Sequence, residues 1–348
     1  MFYKLLFFTC FVLSCSGDPL VDECGLVEGA DPTVRGASPD VPGNRFPWHV
    51  AIYEDRGTIE KRNIVLICGG SIVRSNVVIT AANCFTQSYI IPPVIVSAYR
   101  IVAGTADPSY YSQDPNRQQK EVLQVHIGDK YGGGERSWQA DIAVVFLNDS
   151  FTLSRAVRAV CLELQDSDFN RLETAHGIYG KVNGWGSTAA AQGLRIFTIP
   201  VVSDSKCFKK MPSNYVMYIT SDKICAGIKN GPTVCPGDGG GGLVFPLVTA
   251  AGSAPSWYLR GVLSNAPRST NLSNPCSPSP LALYTNVFTH SHWITNLLAS
   301  LQPTTEAVTV IHEPIPAQWT SARQNRHRTS GQPRHRDVTP ISFYGGMP

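Results

Sequence analysis

Three things are scarce in this sequence, and each scarcity removes a class of function. Charge is sparse and balanced: 16% of the 348 residues are charged, and Lys+Arg 29 against Asp+Glu 26 leaves a net +3. A nucleic-acid binder needs a basic stripe, and no basic run interleaved with aromatics is present. No CxxC pair occurs, so zinc is not expected, and no motif calls for a metal or a cofactor. No apolar run reaches the roughly 20 residues of a membrane-spanning helix, and no internal repeat is visible. With 43% hydrophobic residues, the chain can bury one large core or two smaller ones.

What is present begins at the N-terminus. "MFYKLLFFTCFVLSCSGDP" carries one lysine, a short apolar stretch and small residues at Ser14 and Ser16. It reads as a secretory signal peptide over residues 1–17, whose removal takes Cys10 and Cys15 with it. Eight of the ten cysteines then remain: Cys24, Cys68, Cys84, Cys161, Cys207, Cys225, Cys235 and Cys276. An even number in a secreted chain reads as a disulfide framework. The sequons at Asn148 and Asn271 are candidate glycan sites on surface loops. The expected location is extracellular.

From Phe46 to about Trp257, short alternating or β-branched runs are separated by turn residues. "HVAIY", "NIVLICGGSIV", "NVVIT", "VIVSAYRIVAG", "DIAVVFL", "KVNGWG" and "YLRGVLS" are examples. The pattern predicts an all-β barrel or sandwich, in one barrel or two. Only "FTHSHWITNLLASL" has helical spacing, through Phe288, Trp293, Ile294, Leu297 and Leu298, with Thr289 or Ser291 available as the cap. Residues 301–348 turn rich in Pro, Ser, Thr, Arg and His without a period, and are expected to be a disordered tail. Its cluster of Arg323, Arg326, Arg328, Arg334 and Arg336 has two readings, contact with acidic glycans or plain solvation, and plain solvation is favoured.

One stretch stands apart. Cys235 to Leu243 reads "CPGDGGGGL". Glycine loses the most backbone freedom on folding, so such a run is either a floppy linker or a tight loop in conformations other residues resist. It has companions. "SIVRSNVVITAANCF" sets Cys84 straight after Thr80-Ala81-Ala82-Asn83, with "CGG" at Cys68 to Gly70 before it. "DIAVV" starts at Asp141, "NGWG" at Asn183, "ICAG" at Ile224, and "LYTNVFTHSHWI" runs to Ile294. In that order and spacing they resemble trypsin- and chymotrypsin-like serine proteases, over about Phe46 to Leu298.

The resemblance implies two six-stranded antiparallel β-barrels with a C-terminal helix and a site between the barrels, here a domain over 46–300. Residues 18–45 then correspond to a propeptide-like segment tethered by Cys24. The implied disulfides are Cys24–Cys161, Cys68–Cys84, Cys207–Cys225 and Cys235–Cys276. A further family disulfide is missing on both sides, where Gly180 and Phe245 stand.

Residue by residue, the chemistry departs from that frame. Asn83 stands at the general base and Gly239 at the nucleophile; of the triad only Asp141 is kept. Acyl transfer needs an attacking oxygen and an imidazole to carry its proton. Glycine has no nucleophile, and an amide is no base near neutral pH. No catalytic residue is therefore expected. Ser71 and Ser264 lie nearby in the family fold, but no histidine matches a position that activates either, and His49 reads as packing. Gly237, Asp238, Gly240 and Gly241 match the oxyanion loop, with Gly242 in place of a proline. Thr233, Ser264, Ala266 and Ala282 match pocket positions, where Thr233 replaces an acid at the base, and Asn265 replaces a tryptophan beside the cleft. "TVRGASPDVPGNRFPW" offers Arg35-Gly36-Ala37 where the family has an apolar activation terminus.

The expected function is a secreted, non-catalytic homologue that binds extracellular proteins, namely active proteases or their zymogens. It would act as cofactor, decoy or scaffold in an immune, clotting or melanisation cascade. The oligomeric state stays open. The alternatives are a weakly active hydrolase using unrecognised groups, and a glycan or matrix binder or secretory-gland or venom component. Two carboxylates lost their family partners. Asp141 is expected to take an Asn83 hydrogen bond and the Ser264 hydroxyl. Asp238 has no comparable donor in that frame and is expected to turn out of its activated position, leaving the glycine loop zymogen-like.

Overall fold

The computed structural model describes residues 24–27, 46–58, 61–86, 94–165, 175–185, 193–228, 231, 233–248, 254–271 and 276–300. The signal peptide, Arg35, and the arginine cluster of the tail lie outside them.

The first six strands are β1 (His49–Asp55), β2 (Ile64–Arg74), β3 (Val77–Thr80), β4 (Tyr99–Ala103), β5 (Gln118–Ile127) and β6 (Ala143–Leu147). The next six are β7 (Tyr179–Gly184), β8 (Arg195–Val202), β9 (Lys223–Gly227), β10 (Gly242–Leu247), β11 (Ser256–Asn265) and β12 (Leu281–Asn286). Each six closes into its own antiparallel barrel, in the orders β1-β2-β3-β6-β5-β4 and β10-β11-β12-β9-β8-β7. Closure removes free strand edges. The apolar runs fill the barrels: every residue of β3, β6 and β9 is buried. One cluster fills the first barrel and extends to Trp185, Trp257, Leu259 and Val262 of the second, so the barrels share packing where the site lies.

The described residues also form two α-helices, α1 (Asp204–Lys210) and α2 (Ser291–Ser300), besides short 3₁₀ turns. The expected C-terminal helix is α2, which buries Ile294 and Leu298. Its start differs from the sequence reading. A short 3₁₀ turn, Val287–His290, precedes it, and the Asn286 side chain accepts the Phe288 N–H at 3.0 Å. Thr289 bonds back to the Asn286 carbonyl instead of capping. Helix α1 was not anticipated; it is one short element built around the buried Cys207.

The structure contains the disulfides Cys24–Cys161, Cys68–Cys84, Cys207–Cys225 and Cys235–Cys276. The first is reinforced by main-chain bonds, because Gly25 donates to Ala159 and accepts from Trp257. Where the family has another disulfide, a ring fills the space. Phe245 is fully buried, and a β-carbon on Gly180 would lie 2.8 Å from its Cζ. The glycine makes room for the phenyl ring.

Gly180→Ala should therefore overpack this seam and cost about 1–3 kcal/mol in urea unfolding. Adding Phe245→Leu should recover part of that loss. Equal stability of Gly180→Ala and the parent would show that the ring does not depend on the missing β-carbon.

Candidate functional site

The site begins with an awkward piece of backbone. Ser137, Trp138 and Ala140, immediately before Asp141, take φ of 53°, 58° and 53°. L-residues resist this left-handed region by roughly 1–2 kcal/mol each, so something must hold the turn. A buried ion pair from the second barrel does so. Asp222 accepts the Ala140 N–H at 2.8 Å, and Lys223 Nζ donates to the Trp138 carbonyl at 2.7 Å. Lys223 and Asp222 lie 3.5 Å apart with side-chain exposures of 1% and 7%. Lys223 also donates to Thr285, whose hydroxyl donates to the Asp141 carbonyl oxygen. Burial works against the Asp222 charge, but His290, Lys223, Thr220 and the Ala140 N–H outweigh it and hold its pKa well below the carboxylate range.

Held in this way, Asp141 points its carboxylate at Asn83 and is itself fully buried. The Asn83 main-chain N–H donates to Oδ1 at 2.8 Å and its side-chain Nδ2 to Oδ2 at 2.6 Å. Ser264 Oγ donates to the same Oδ2 at 2.6 Å. Asn83 Nδ2 also reaches the Ser264 carbonyl at 2.9 Å, which ties the first barrel to the second. Burial pushes the Asp141 pKa up; Lys223, Ser264 and Asn83 pull against it. The Asn83–Asp141 bond and the Ser264 hydroxyl expected from sequence are both present.

Asp238 requires a correction. It does not turn toward water: it is 7% exposed, with Oδ1 accepting the Trp185 N–H at 3.0 Å and Oδ2 the Cys235 N–H at 2.9 Å. These donors belong to the main chain, so an inventory of side chains misses them. Nor is the glycine loop loose. Gly69 donates to the Gly239 carbonyl, Gly240 to Leu263 and Gly241 to Asp238. Gly237 and Gly240 take φ of 96° and 79°, which only glycine adopts easily. A β-carbon on Gly240 would meet Thr80 Oγ1 at 2.1 Å, and one on Gly242 would meet Ser71 Oγ at 2.5 Å. Gly239 differs: a β-carbon there would touch only Cys68 Sγ, at 3.6 Å. The backbone has room for a serine at this position and the sequence does not supply one.

The residues matched to the pocket are divided by the structure. Thr233 and Ala282 line a cavity inside the second barrel, whereas Ser264 serves Asp141 and Ala266 packs against the barrel's apolar cluster. His49 and Ser71 are register partners across β1 and β2, a juxtaposition sequence reasoning missed. They are 6% and 1% exposed, and the Ser71 hydroxyl has no hydrogen-bond partner among the described residues. The His49 ring lies 4.5 Å from the Trp185 ring, and burial lowers its pKa to about 3. It packs as a neutral ring. No group of three or more metal-ligating side chains occurs among the described residues, and none of their helices is long and apolar enough to cross a membrane. Asn148 and Asn271 are both exposed.

The family model described as "Trypsin" matches residues 34–294. Among curated proteins, the chain is 28% identical over 246 residues to "Modular serine protease" of Drosophila melanogaster, covering 69% of this chain and 36% of that protein. It is 29% identical to "CLIP domain-containing serine protease B4" of Anopheles gambiae, covering 79% of this chain and 72% of that one. It is also 29% identical to "Clotting factor C" of Tachypleus tridentatus, covering 63% of this chain and 21% of that one. Against the first and third, the chain therefore spans well under half of the relative's length.

Two outcomes follow from the buried groups. Asn83→Ala removes a donor from the Asp141 carboxylate and should cost about 2 kcal/mol at pH 7. The raised pKa means that protonation favours the folded state, so this deficit should shrink as pH falls toward 4, measured by urea unfolding at both pH values. His49 has the opposite sign. Its depressed folded pKa means the unfolded chain takes up protons first, so stability falls between pH 6.5 and about 3. His49→Leu should flatten that part of the acid limb, and an unchanged slope would place the titration elsewhere.

Proposed function

The chain belongs to the trypsin family, and on that premise we propose that it is a secreted, non-catalytic member that works by binding other extracellular proteins. The observation that carries this reading is the site itself: Asp141 holds an amide where the reaction needs an imidazole, and position 239 has no side chain. Removing such a set costs on the order of 10⁶ in turnover even where backbone donors remain. Oriented N–H groups alone do not supply an attacking oxygen.

The partners we infer are active proteases of the same family or their zymogens. Two features support that choice. The relatives include proteins named for clotting and for a CLIP domain, and the site keeps a family-like backbone without a reagent. A cofactor, decoy or scaffold in a clotting, immune or melanisation cascade fits both features. The four disulfides support secretion, and residues 18–45 fit a propeptide-like segment retained by Cys24. Asn148 and Asn271, both exposed, are the proposed glycan sites. No cofactor or metal enters this function.

Residual hydrolysis through His49 and Ser71 is the second reading, because β1 and β2 set them opposite each other. It is the weaker one: both are buried, and a histidine with a pKa of about 3 is a poor base.

The test is direct. Intact protein should hydrolyse no member of a broad peptide library and should not react with a fluorophosphonate probe directed at activated serines. Asn83→His with Gly239→Ser should become probe-reactive, yet remain well below ordinary family turnover because Arg35-Gly36-Ala37 offers no apolar activation terminus. In parallel, the wild-type chain should bind a trypsin-family protease or zymogen in solution. Labelling of the wild type, lost on Ser71→Ala, would overturn the non-catalytic reading.

A further inference from the structure

The tyrosines of the described residues differ in what surrounds them. Tyr53, Tyr99, Tyr131 and Tyr284 are buried in the barrels. Two stand out in solvent, Tyr111 at 70% exposure and Tyr179 at 46%. Tyr179 belongs to β7, where its main chain pairs with Pro200 and the nearest charge along the strand is Lys181. Tyr111 has a different setting, on the segment 104–117 that joins β4 to β5.

The Ser112 N–H donates to the Ser109 carbonyl at 3.1 Å and closes a turn whose central residues are Tyr110 and Tyr111. There the two rings part. Tyr110 packs inward: its ring lies 5.2 Å from that of Tyr53, and the Arg117 guanidinium sits 5.5 Å from its centroid. Tyr111 projects outward and meets Tyr110 edge-on at 5.1 Å, and its hydroxyl has no hydrogen-bond partner among the described residues. Two carboxylates flank it in the chain. Asp107 Oδ1 accepts the Ser109 N–H at 2.8 Å, and Asp114 Oδ1 accepts the Asn116 N–H at 2.9 Å. Such side-chain turns fix each carboxylate beside its own backbone. From Thr105 to Asn116 the only charged residues are these two acids, and the next cation, Arg117, is engaged with Tyr110.

We propose that Tyr111 is a tyrosine O-sulfation site, modified by a sulfotransferase of the secretory pathway that reads the acidic flank; this rests on the secreted reading given above. The phenol oxygen attacks the sulfur of a phosphoadenosine phosphosulfate donor. The aryl O–S bond forms as the S–O bond to the nucleotide phosphate breaks, the phenolic proton passes to a base of the transferase, and nothing is oxidised or reduced. An exposed phenol at the tip of a turn enters an enzyme's cleft without disturbing the barrel behind it. Asp107 and Asp114 complement a basic cleft and steer the encounter. Tyr110 shares the same flank but is held back by Tyr53 and Arg117, a distinction the sequence does not reveal. The product is a fixed anion between two carboxylates, an acidic patch suited to a cationic face of a partner protein.

The test uses purified intact protein, a tyrosylprotein sulfotransferase and radiolabelled phosphoadenosine phosphosulfate, with the label located by peptide mapping. One sulfo group should appear on Tyr111. Tyr111→Phe should lose it, whereas Tyr110→Phe and Tyr179→Phe should keep it. Asp107→Asn with Asp114→Asn retains the side-chain oxygens that hold the turns, and should slow labelling about tenfold through lost charge steering. Chain collected from the medium of secreting cells should carry the same group, resistant to phosphatase. No label on the intact protein, label on another tyrosine, or an undiminished rate in the double variant would overturn the proposal. So would an unmodified or phosphorylated Tyr111 in the chain from the medium. A chain that never reaches the medium would sink the secreted reading instead, and the assay on purified protein would still decide on Tyr111.

Discussion

A carboxylate shut away from water must be met by donors, and around Asp141 those donors come from both barrels. Asn83 reaches it from the first barrel and Ser264 from the second, while Lys223 stands behind it through Thr285. The left-handed backbone at Ser137, Trp138 and Ala140 is gripped from outside by Asp222 and Lys223. One charge thus constrains a turn, two strands and the seam between barrels. In a protease of this family the same arrangement orients an imidazole; here it has become part of the molecule's internal bracing.

The glycine loop obeys a related constraint. Asp238 sits buried in the loop, and main-chain N–H groups from Trp185 and Cys235 bond its carboxylate. The positive-φ glycines at 237 and 240 let the loop lie against Gly69 and Thr80. The loop keeps this packing and its main-chain hydrogen bonds although position 239 carries no side chain.

Much of this was legible before any coordinates. The strands with alternating or β-branched runs announce themselves, as β1, β2, β3 and β6 show, and the spacing of Asn83, Asp141 and Gly239 exposes the missing reagents. What escaped did so for physical reasons. Strand β5 is half exposed and rich in Gln, Lys and Glu, so it has little apolar period to read. Strand β8 carries Pro200, which normally counts against a strand. Helix α1 is too short for a periodic signal. The fate of Asp238 hung on main-chain donors that no residue type encodes, and the His49–Ser71 opposition needed strand register. The exchange of a disulfide for Phe245 over Gly180 could be noticed as two absences, but only packing reveals that one fills the other.

The Cys24–Cys161 link has a topological effect of its own. Cys24 lies on one side of residues 28–45 and the first barrel on the other, so a single cut anywhere in that stretch severs the backbone without freeing a fragment. Hydrolysis there would convert a single polypeptide into two that still diffuse as one particle. A proteolytic mark written there would persist for the lifetime of the molecule, legible to a partner as a new pair of chain ends and invisible as any change in mass beyond one water.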